Sequence, residues 1–467
     1  MAVQSSPLWR RFLIFLVPLM LSNILQAMSG TVNSFYIGQL IGVEALAATA
    51  TFFPIMFFLM SFVIGLSAGS TILVGQAWGA RNLVKVKQVA GTTLITAIAL
   101  GVVVAFIGGF FTEQIMTVLG APENIRQISV GYARIVLIGM PGFFVFLVVT
   151  SALRGVGDTV TPLFSLILSL AVSMLVTPAL ILGWFGLPQL GVNAAAWAFI
   201  AGFVSVLLFL FVYMRARKMP LAPDAVLLGA MLKPDFKLLG LILKLGVPTG
   251  FQMVISSISG IVIIGLVNRF GSDATAAYGA LGQVMSYVQF PALSIGIAAS
   301  IFGAQAIGAG RVENLGAITR TALILNVIIT GSLVTLAYLF SGHLVALFIT
   351  DPAVVELTET LLHVVLWSMV CFGCSVVFAG VMRSSGTVYA PMIISLSCIL
   401  LIELPGAVVL SKTSLGLTGI WVAYATSFTM MMVLQACWYQ FVWKKKKIVA
   451  LLTPTSGPDK AAVGAAP

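Results

Sequence analysis

Gly75-Gln76-Ala77-Trp78-Gly79-Ala80 returns 229 residues later as Ala304-Gln305-Ala306-Ile307-Gly308-Ala309, and that return decides the fold. Around it, Arg154, Gly157 and Pro162 come back as Arg383, Gly386 and Pro391 at the same spacing. Gly42, Glu44, Ala47 and Ala48 come back as Gly271, Asp273, Ala276 and Ala277. Echoes that share one register mean that the chain is two copies of one unit. Each copy is strung from apolar stretches of roughly 20 residues, the length that crosses about 30 Å of hydrocarbon. Of 467 residues, 60% are hydrophobic and 8% charged, with a mean hydropathy of +1.13. A soluble domain carries about 25% charged residues.

Twelve such stretches can be placed, from 12–33 to 417–441, with the tenth at 355–381 and the eleventh at 390–411. The predicted fold is an all-α membrane protein of twelve transmembrane helices in two six-helix lobes, an N-lobe over 1–214 and a C-lobe over 240–441. A charged, proline-bearing cytoplasmic linker over 215–239 joins them, and a tail over 442–467 is basic at first and disordered beyond Lys447. Six spans return the chain to the side where it started, so the two copies share one orientation. They are then related by a pseudo-two-fold axis along the membrane normal, with substrate handled in the cleft between them. Prolines inside spans (Pro18, Pro54, Pro178, Pro248, Pro291 and Pro405) are candidate hinges or fixed kinks.

The net charge of +11 invites a nucleic-acid reading, which its distribution excludes. With the N-terminus inside, 20 of the 24 Lys and Arg fall on the cytoplasmic side. Only Arg126, Arg134, Arg269 and Lys412 lie toward the other side, which is the positive-inside pattern. The expected place is a plasma (bacterial inner) membrane, multi-pass, with both termini cytoplasmic. The expected partners are the bilayer and a small organic substrate, the protein acting as a monomer with no nucleic acid. The first apolar run is a signal anchor rather than a cleaved signal peptide. Cys371, Cys374, Cys398 and Cys437 all sit in apolar runs and read as packing residues, and no metal site or cofactor is expected beyond a coupling ion. There is no HExxH and no nucleophile with a base at usable spacing, so an enzyme is not expected.

Several stretches together resemble a known family. They are Pro18-Leu-Met-Leu-Ser-Asn23, Gly38-Gln-Leu-Ile-Gly42-Val-Glu44, Gly75-Gln76-x-x-Gly79-Ala80-Arg81 and Leu153-Arg154-Gly155-x-Gly157-Asp158-Thr159-x-Thr161-Pro162. Val267-Asn268-Arg269-Phe270-Gly271, Gly303-Ala-Gln305-x-x-Gly308-Ala309-Gly310-Arg311 and Met382-Arg383-Ser-Ser-Gly386 fit the same pattern in the second lobe. The family is the multidrug and toxic compound extrusion (MATE) exporters, and the resemblance covers about 1–441. It implies outward transport of amphipathic, often cationic, organic compounds by a V-shaped pair of lobes that alternate between inward- and outward-open states. Inward flow of protons, or less favoured here sodium ions, drives the cycle. Many members carry a first-span Asp in a Val-Asp-Thr setting, where Val32-Asn33-Ser34 stands here, and a fifth-span Asn-x-x-x-Asp-Pro, where Ser173-x-x-x-Thr177-Pro178 stands here. A seventh-span Glu is also common, and Gln252 and Ser256 occupy that stretch.

Glu403, in Ile399-Leu-Leu-Ile-Glu403-Leu-Pro405, is the one acid placed deep in a span. An ionised carboxylate at that depth costs roughly 2.5–3.5 kcal/mol on insertion scales, so it is rarely accidental. It is the leading proton carrier; the alternatives are pairing with a cationic substrate, or a structural carboxyl that is hydrogen-bonded to neighbouring helices or paired with an Arg such as Arg383. His363 is a second proton candidate, and Asn33, Ser173 and Thr177 are neutral candidates for holding a cation. Cleft candidates are Asn23, Gln26, Gln252, Ser256, Gln283, Ser286, Tyr287 and Gln289. Phe52, Phe53, Phe57, Phe58 and Phe62 crowd span two, where they face either lipid or a flat cation. Asp158 is expected to pair with Arg154 in a loop, and Gln76 and Gln305 to cap or bridge helices. A flippase of lipid-linked sugars on the same fold is the alternative function, disfavoured because the spans hold so few Lys and Arg to grip a pyrophosphate.

Overall fold

The computed structural model describes residues 7–120, 122–346, 348 and 351–452. It is helical throughout, with no strand among the described residues. The first copy supplies α1 (Leu8–Leu40), α2 (Val43–Gly79), α3 (Leu83–Val118), α4 (Glu123–Gly155), α5 (Val160–Leu182) and α6 (Asn193–Ala216). After a short α7 (Ala225–Leu232), the second supplies α8 (Phe236–Val267), α9 (Ser272–Gly308), α10 (Leu315–Leu339), α11 (Ser341–Ala346), α12 (Pro352–Val365) and α13 (Ser368–Ser384). It ends in α14 (Tyr389–Cys398), a π turn over Ile399–Glu403, α15 (Leu404–Leu410) and α16 (Gly416–Phe441). Among the described residues, 11 helices are long and apolar enough to cross a membrane, and α12 with α13, bent by 42°, makes a twelfth.

The breaks follow local chemistry. Asp224 caps α7 by accepting from the Leu227 amide at 3.0 Å, and its carboxylate also pairs with Lys87 at the start of α3. The interval read as a cytoplasmic linker contains a docked helix, and α8 begins at Phe236, inside that interval. Asp158 accepts from the amides of Val160 and Thr161, both at 3.0 Å, and so starts α5 rather than pairing with Arg154. Gly157 (φ 96°) and Gly386 (φ 86°) take the left-handed backbone that ends α4 and α13 in the same way in both copies.

The copies are interleaved rather than set side by side. Phe12, Phe15, Leu16 and Leu19 of α1 are buried in one cluster with Ile295, Ala298, Ala299 and Ile301 of α9. The echo-related α8 lies on α2 of the first copy. There the backbones touch: a Cβ on Gly65 would stand 2.7 Å from the Gly246 carbonyl oxygen, and one on Gly246 would stand 2.3 Å from that of Gly65. Among the described residues, the side-chain hydrogen bonds that cross between copies are Asn23 to Ser294, Gln76 to Ser384, Gln305 to Gly155 and Leu451 to Gln76. The first lies at mid-span, and the other three lie at the face that carries the start of α1 and the end of α16, here called the terminal face. The halves are therefore closed on that face.

Candidate functional site

The eleventh apolar stretch is not a plain helix. It runs from α14 into the π turn that ends at Glu403, and Pro405 sits in the first turn of α15. A π turn inserts a residue into the helical ladder and is frequent at functional sites. Glu403 is 4% exposed. Ser259 of α8 donates from Oγ to Glu403 Oε1 at 2.7 Å. Ser427 of α16 lies beside the same carboxyl and donates to the Cys398 carbonyl at 3.3 Å. Tyr278 and Tyr424 lie in the same neighbourhood. Trp421 lies between them, 5.6 Å from the Tyr278 ring and 5.5 Å from that of Tyr424, and its buried Nε1 has no hydrogen-bond partner among the described residues. Arg383 does not reach this acid; it donates from Nη2 to Gln252 Oε1 at 2.8 Å. The Ser259, Tyr278, Trp421 and Tyr424 neighbours were invisible in sequence, since nothing in an apolar run marks which residues face an acid on another helix.

In the other half, Thr177 of α5 donates from Oγ1 to Asn33 Oδ1 of α1 at 3.2 Å. Ser173, one helical turn before Thr177 on α5, is also buried. The two polar pairs are built alike. Asn33 and Thr177 join the first and fifth spans of one copy, and Ser259 and Glu403 join the corresponding spans of the other. In each pair the partners stand 144 residues apart. One pair is neutral and the other carries an acid.

His363 is exposed on α12. Its Nδ1 is 2.7 Å from the Glu359 carbonyl and its ring stacks on Tyr338 with centroids 5.0 Å apart, so local contacts occupy both the ring face and one nitrogen. The cleft candidates divide. Asn23 donates to Ser294 Oγ at 2.9 Å across the halves. Gln252 accepts from Arg383, and Ser286 donates to the Gly282 carbonyl at 2.8 Å. Gln26, Ser256, Gln283 and Tyr287 are exposed, and Gln289 is half-buried. Gln283, Ser286 and Tyr287 share one face of α9. On α2, Phe53, Phe57, Phe58 and Phe62 are exposed, whereas Phe52 is buried edge-on against Tyr132. Cys374 and Cys398 are buried, Cys371 is half-buried and Cys437 is exposed.

A duplicated bundle of spanning helices, closed on one face and holding a carboxyl inside one half, has the architecture of a membrane transporter. A family model described as MatE matches residues 18–179 and again 248–409, and the chain belongs to this family of transporters. It is 45% identical over 451 residues to the probable multidrug resistance protein YoeA of Bacillus subtilis (strain 168), covering 96% of this chain and 97% of that one. It is 25% identical over 390 residues to the multidrug export protein MepA of Staphylococcus aureus (strain NCTC 8325 / PS 47), covering 82% and 83%. Among solved structures, a mutant of the Vibrio cholerae MATE transporter VcmN superposes with a TM-score of 0.86 at 18% identity, over 94% of this chain and 98% of that one. At that identity the likeness speaks for the fold.

Proposed function

We propose that this protein is a multidrug exporter that moves amphipathic, cationic organic compounds out of the cell. Proton influx drives it, and the two halves alternate between states open to either side of a bacterial cytoplasmic membrane. The observation that carries the coupling is Glu403, a carboxyl buried in a spanning segment and held by Ser259 between the same two spans that Asn33 and Thr177 join in the other half, three residues earlier along each. A neutral amide–hydroxyl pair cannot exchange a proton near pH 7, so the acid in the second half is the group left to do it. An ionised carboxylate at that depth costs several kcal/mol that a proton removes. Protonation therefore changes how strongly the π turn, α8 and α16 hold together, which is a differential interaction able to bias two states. With the N-terminus cytoplasmic, the closed terminal face is the inner one, and the cleft opens outward past the exposed aromatics of α2 and Tyr287. Each ring there offers a cation about 0.5–2 kcal/mol. The relative named as a probable multidrug resistance protein, at 45% identity, supports the coarser part of this reading, transport of drugs.

The test is efflux of a fluorescent organic cation from proteoliposomes with either a proton or a sodium gradient imposed. Export driven by the proton gradient alone is expected. Export driven by sodium alone would overturn the proton reading and turn the oxygens of Glu403, Ser259 and Ser427 into a cation site. No export under either gradient would overturn the exporter reading.

A further inference from the structure

The terminal face is shut by a clasp that the two copies build reciprocally. Gln76, near the end of α2, donates from Nε2 to the Ser384 carbonyl at the end of α13, 2.8 Å away. Its counterpart Gln305, near the end of α9, donates from Nε2 to the Gly155 carbonyl at the end of α4, 3.0 Å away. The acceptors are themselves counterparts, 229 residues apart like the donors. Between the two bonds the backbones of α2 and α9 meet bare. A Cβ on Gly79 would stand 2.0 Å from the Gln305 carbonyl oxygen, and one on Gly308 would stand 1.9 Å from that of Gln76.

One contact breaks the two-fold relation. Beyond α16, Trp443 donates from Nε1 to Ser385 Oγ at 2.9 Å, and after four exposed lysines, Lys444 to Lys447, the chain turns back toward the clasp. Ile448 and Ala450 pack on the cluster shared by α1 and α9, while Leu451 and Leu452 pack on the cluster of the first half. Leu451 lies against Gly386, and its amide donates to Gln76 Oε1 at 2.8 Å. The tail was expected to be disordered from Lys447 onward. Of its residues 448–452 all but the exposed Val449 are instead packed, and 453–467 lie outside the described residues.

We propose that residues 448–452 are a strap that bolts the terminal face shut, that Gln76 is its latch, and that the strap must unseat before the halves part on that side. Gln76 is the natural latch because both ends of its amide are engaged: the nitrogen holds Ser384 of the second half and the oxygen holds the strap. Parting the halves breaks both bonds and re-exposes Leu451, so the strap weights the equilibrium toward the state closed on this face. It does so without touching Glu403 or the cleft. The inference rests on the alternating-access reading above.

The test is hydrogen exchange of the amides of residues 76–82 and 305–311 in nanodiscs, measured with ethidium present and absent and at pH 6 and pH 8, every rate being taken relative to the intrinsic exchange rate of an unprotected amide at that pH. Three proteins are compared: the full chain, a chain ending at Leu452 that keeps the strap, and a chain ending at Lys447 that lacks it. When opening is fast and reversible, exchange tracks the open population. The chain ending at Lys447 is expected to exchange at least about tenfold faster, equivalent to ~1.4 kcal/mol, with the chain ending at Leu452 matching the full chain. Leu451→Ala should give an intermediate rate. Equal rates in all three chains, with those rates still moving with ethidium or pH, would overturn the strap and leave alternation standing. Rates that no chain, ligand or pH changes would overturn both.

Discussion

Gly79→Ala is the sharpest test of how the halves close. The added Cβ would stand 2.0 Å from the Gln305 carbonyl oxygen, which belongs to helix backbone and cannot swing aside. A carbon and a carbonyl oxygen meet at about 3.3 Å, so α2 and α9 must separate by about 1.3 Å at this point. The clasp bonds of 2.8 and 3.0 Å lie within a turn of it and do not survive that displacement. Overpacking of this kind costs about 1–3 kcal/mol, and losing the two bonds adds about 1 kcal/mol each. Gly331→Ala in α10 is the control, because its Cβ would meet nothing within 4 Å. There the better helix propensity of alanine stabilises by up to about 1 kcal/mol. Thermal unfolding in detergent, followed by scanning fluorimetry, should thus move the two variants in opposite directions. The protein can also escape the strain by opening the terminal face, so exchange at residues 305–311 should rise in Gly79→Ala and not in Gly331→Ala. A Gly79→Ala protein as stable as the control, with unchanged exchange, would refute the close backbone contact.

Other consequences follow from single contacts. Asn33→Ala removes the neutral pair with Thr177 and should leave proton-driven dye export within about threefold of wild type, because a lost neutral hydrogen bond amounts to only about 0.5–1.5 kcal/mol; abolished export would place coupling in the first half. Asn326, buried in α10, donates to the Val370 carbonyl at 3.1 Å and accepts from Thr330 at 3.0 Å, so Asn326→Ala should destabilise by about 1–2 kcal/mol in thermal unfolding. Asp224→Ala should loosen α7, read as faster exchange of its first amides, by about 1 kcal/mol from the lost cap, with Asp224→Asn much milder. The Lys87 ammonium first, and the Leu227 amide second, hold the Asp224 carboxyl below its usual range, against a small opposing effect of burial. A depressed carboxyl lends its stability above its unfolded value of about 3.9 and loses it as pH falls through the lower folded value. Protection of the α7 amides, taken against the intrinsic exchange rate at each pH, should therefore be flat from pH 5 to 8 and fall only in strong acid.

What the sequence made legible was whatever hydropathy and repetition record. The spans, the duplication and the depth of Glu403 were all there, because a charge in a long apolar run stands out wherever that run packs. Helix neighbours were not there. A spanning helix is apolar all round, so no polar face tells which side meets another helix. That is why the crossing of α1 onto α9 and of α8 onto α2, and the pairing of Ser259 with Glu403, had to come from coordinates. The tenth apolar stretch read as one span and breaks between Val365 and Ser368, with no proline at the break. The eleventh carries a π turn that no residue type announces. Asp158 was expected to pair with Arg154, but a carboxylate one residue before a helix-starting Thr-Val is better used by the free amides of that helix. The four packed tail residues, Ile448, Ala450, Leu451 and Leu452, are not legible because their partners lie far away along the chain.

The most direct test of the central claim compares wild type with Glu403→Gln in proteoliposomes that report dye movement and internal pH together. The amide keeps the shape of the side chain and a partner for Ser259 but carries no exchangeable charge. Wild type should concentrate the dye against its gradient while protons move the other way. Glu403→Gln should still exchange dye down a gradient, with neither accumulation nor proton movement. A Glu403→Gln protein that accumulates dye and moves protons like wild type would contradict the assignment of coupling to Glu403.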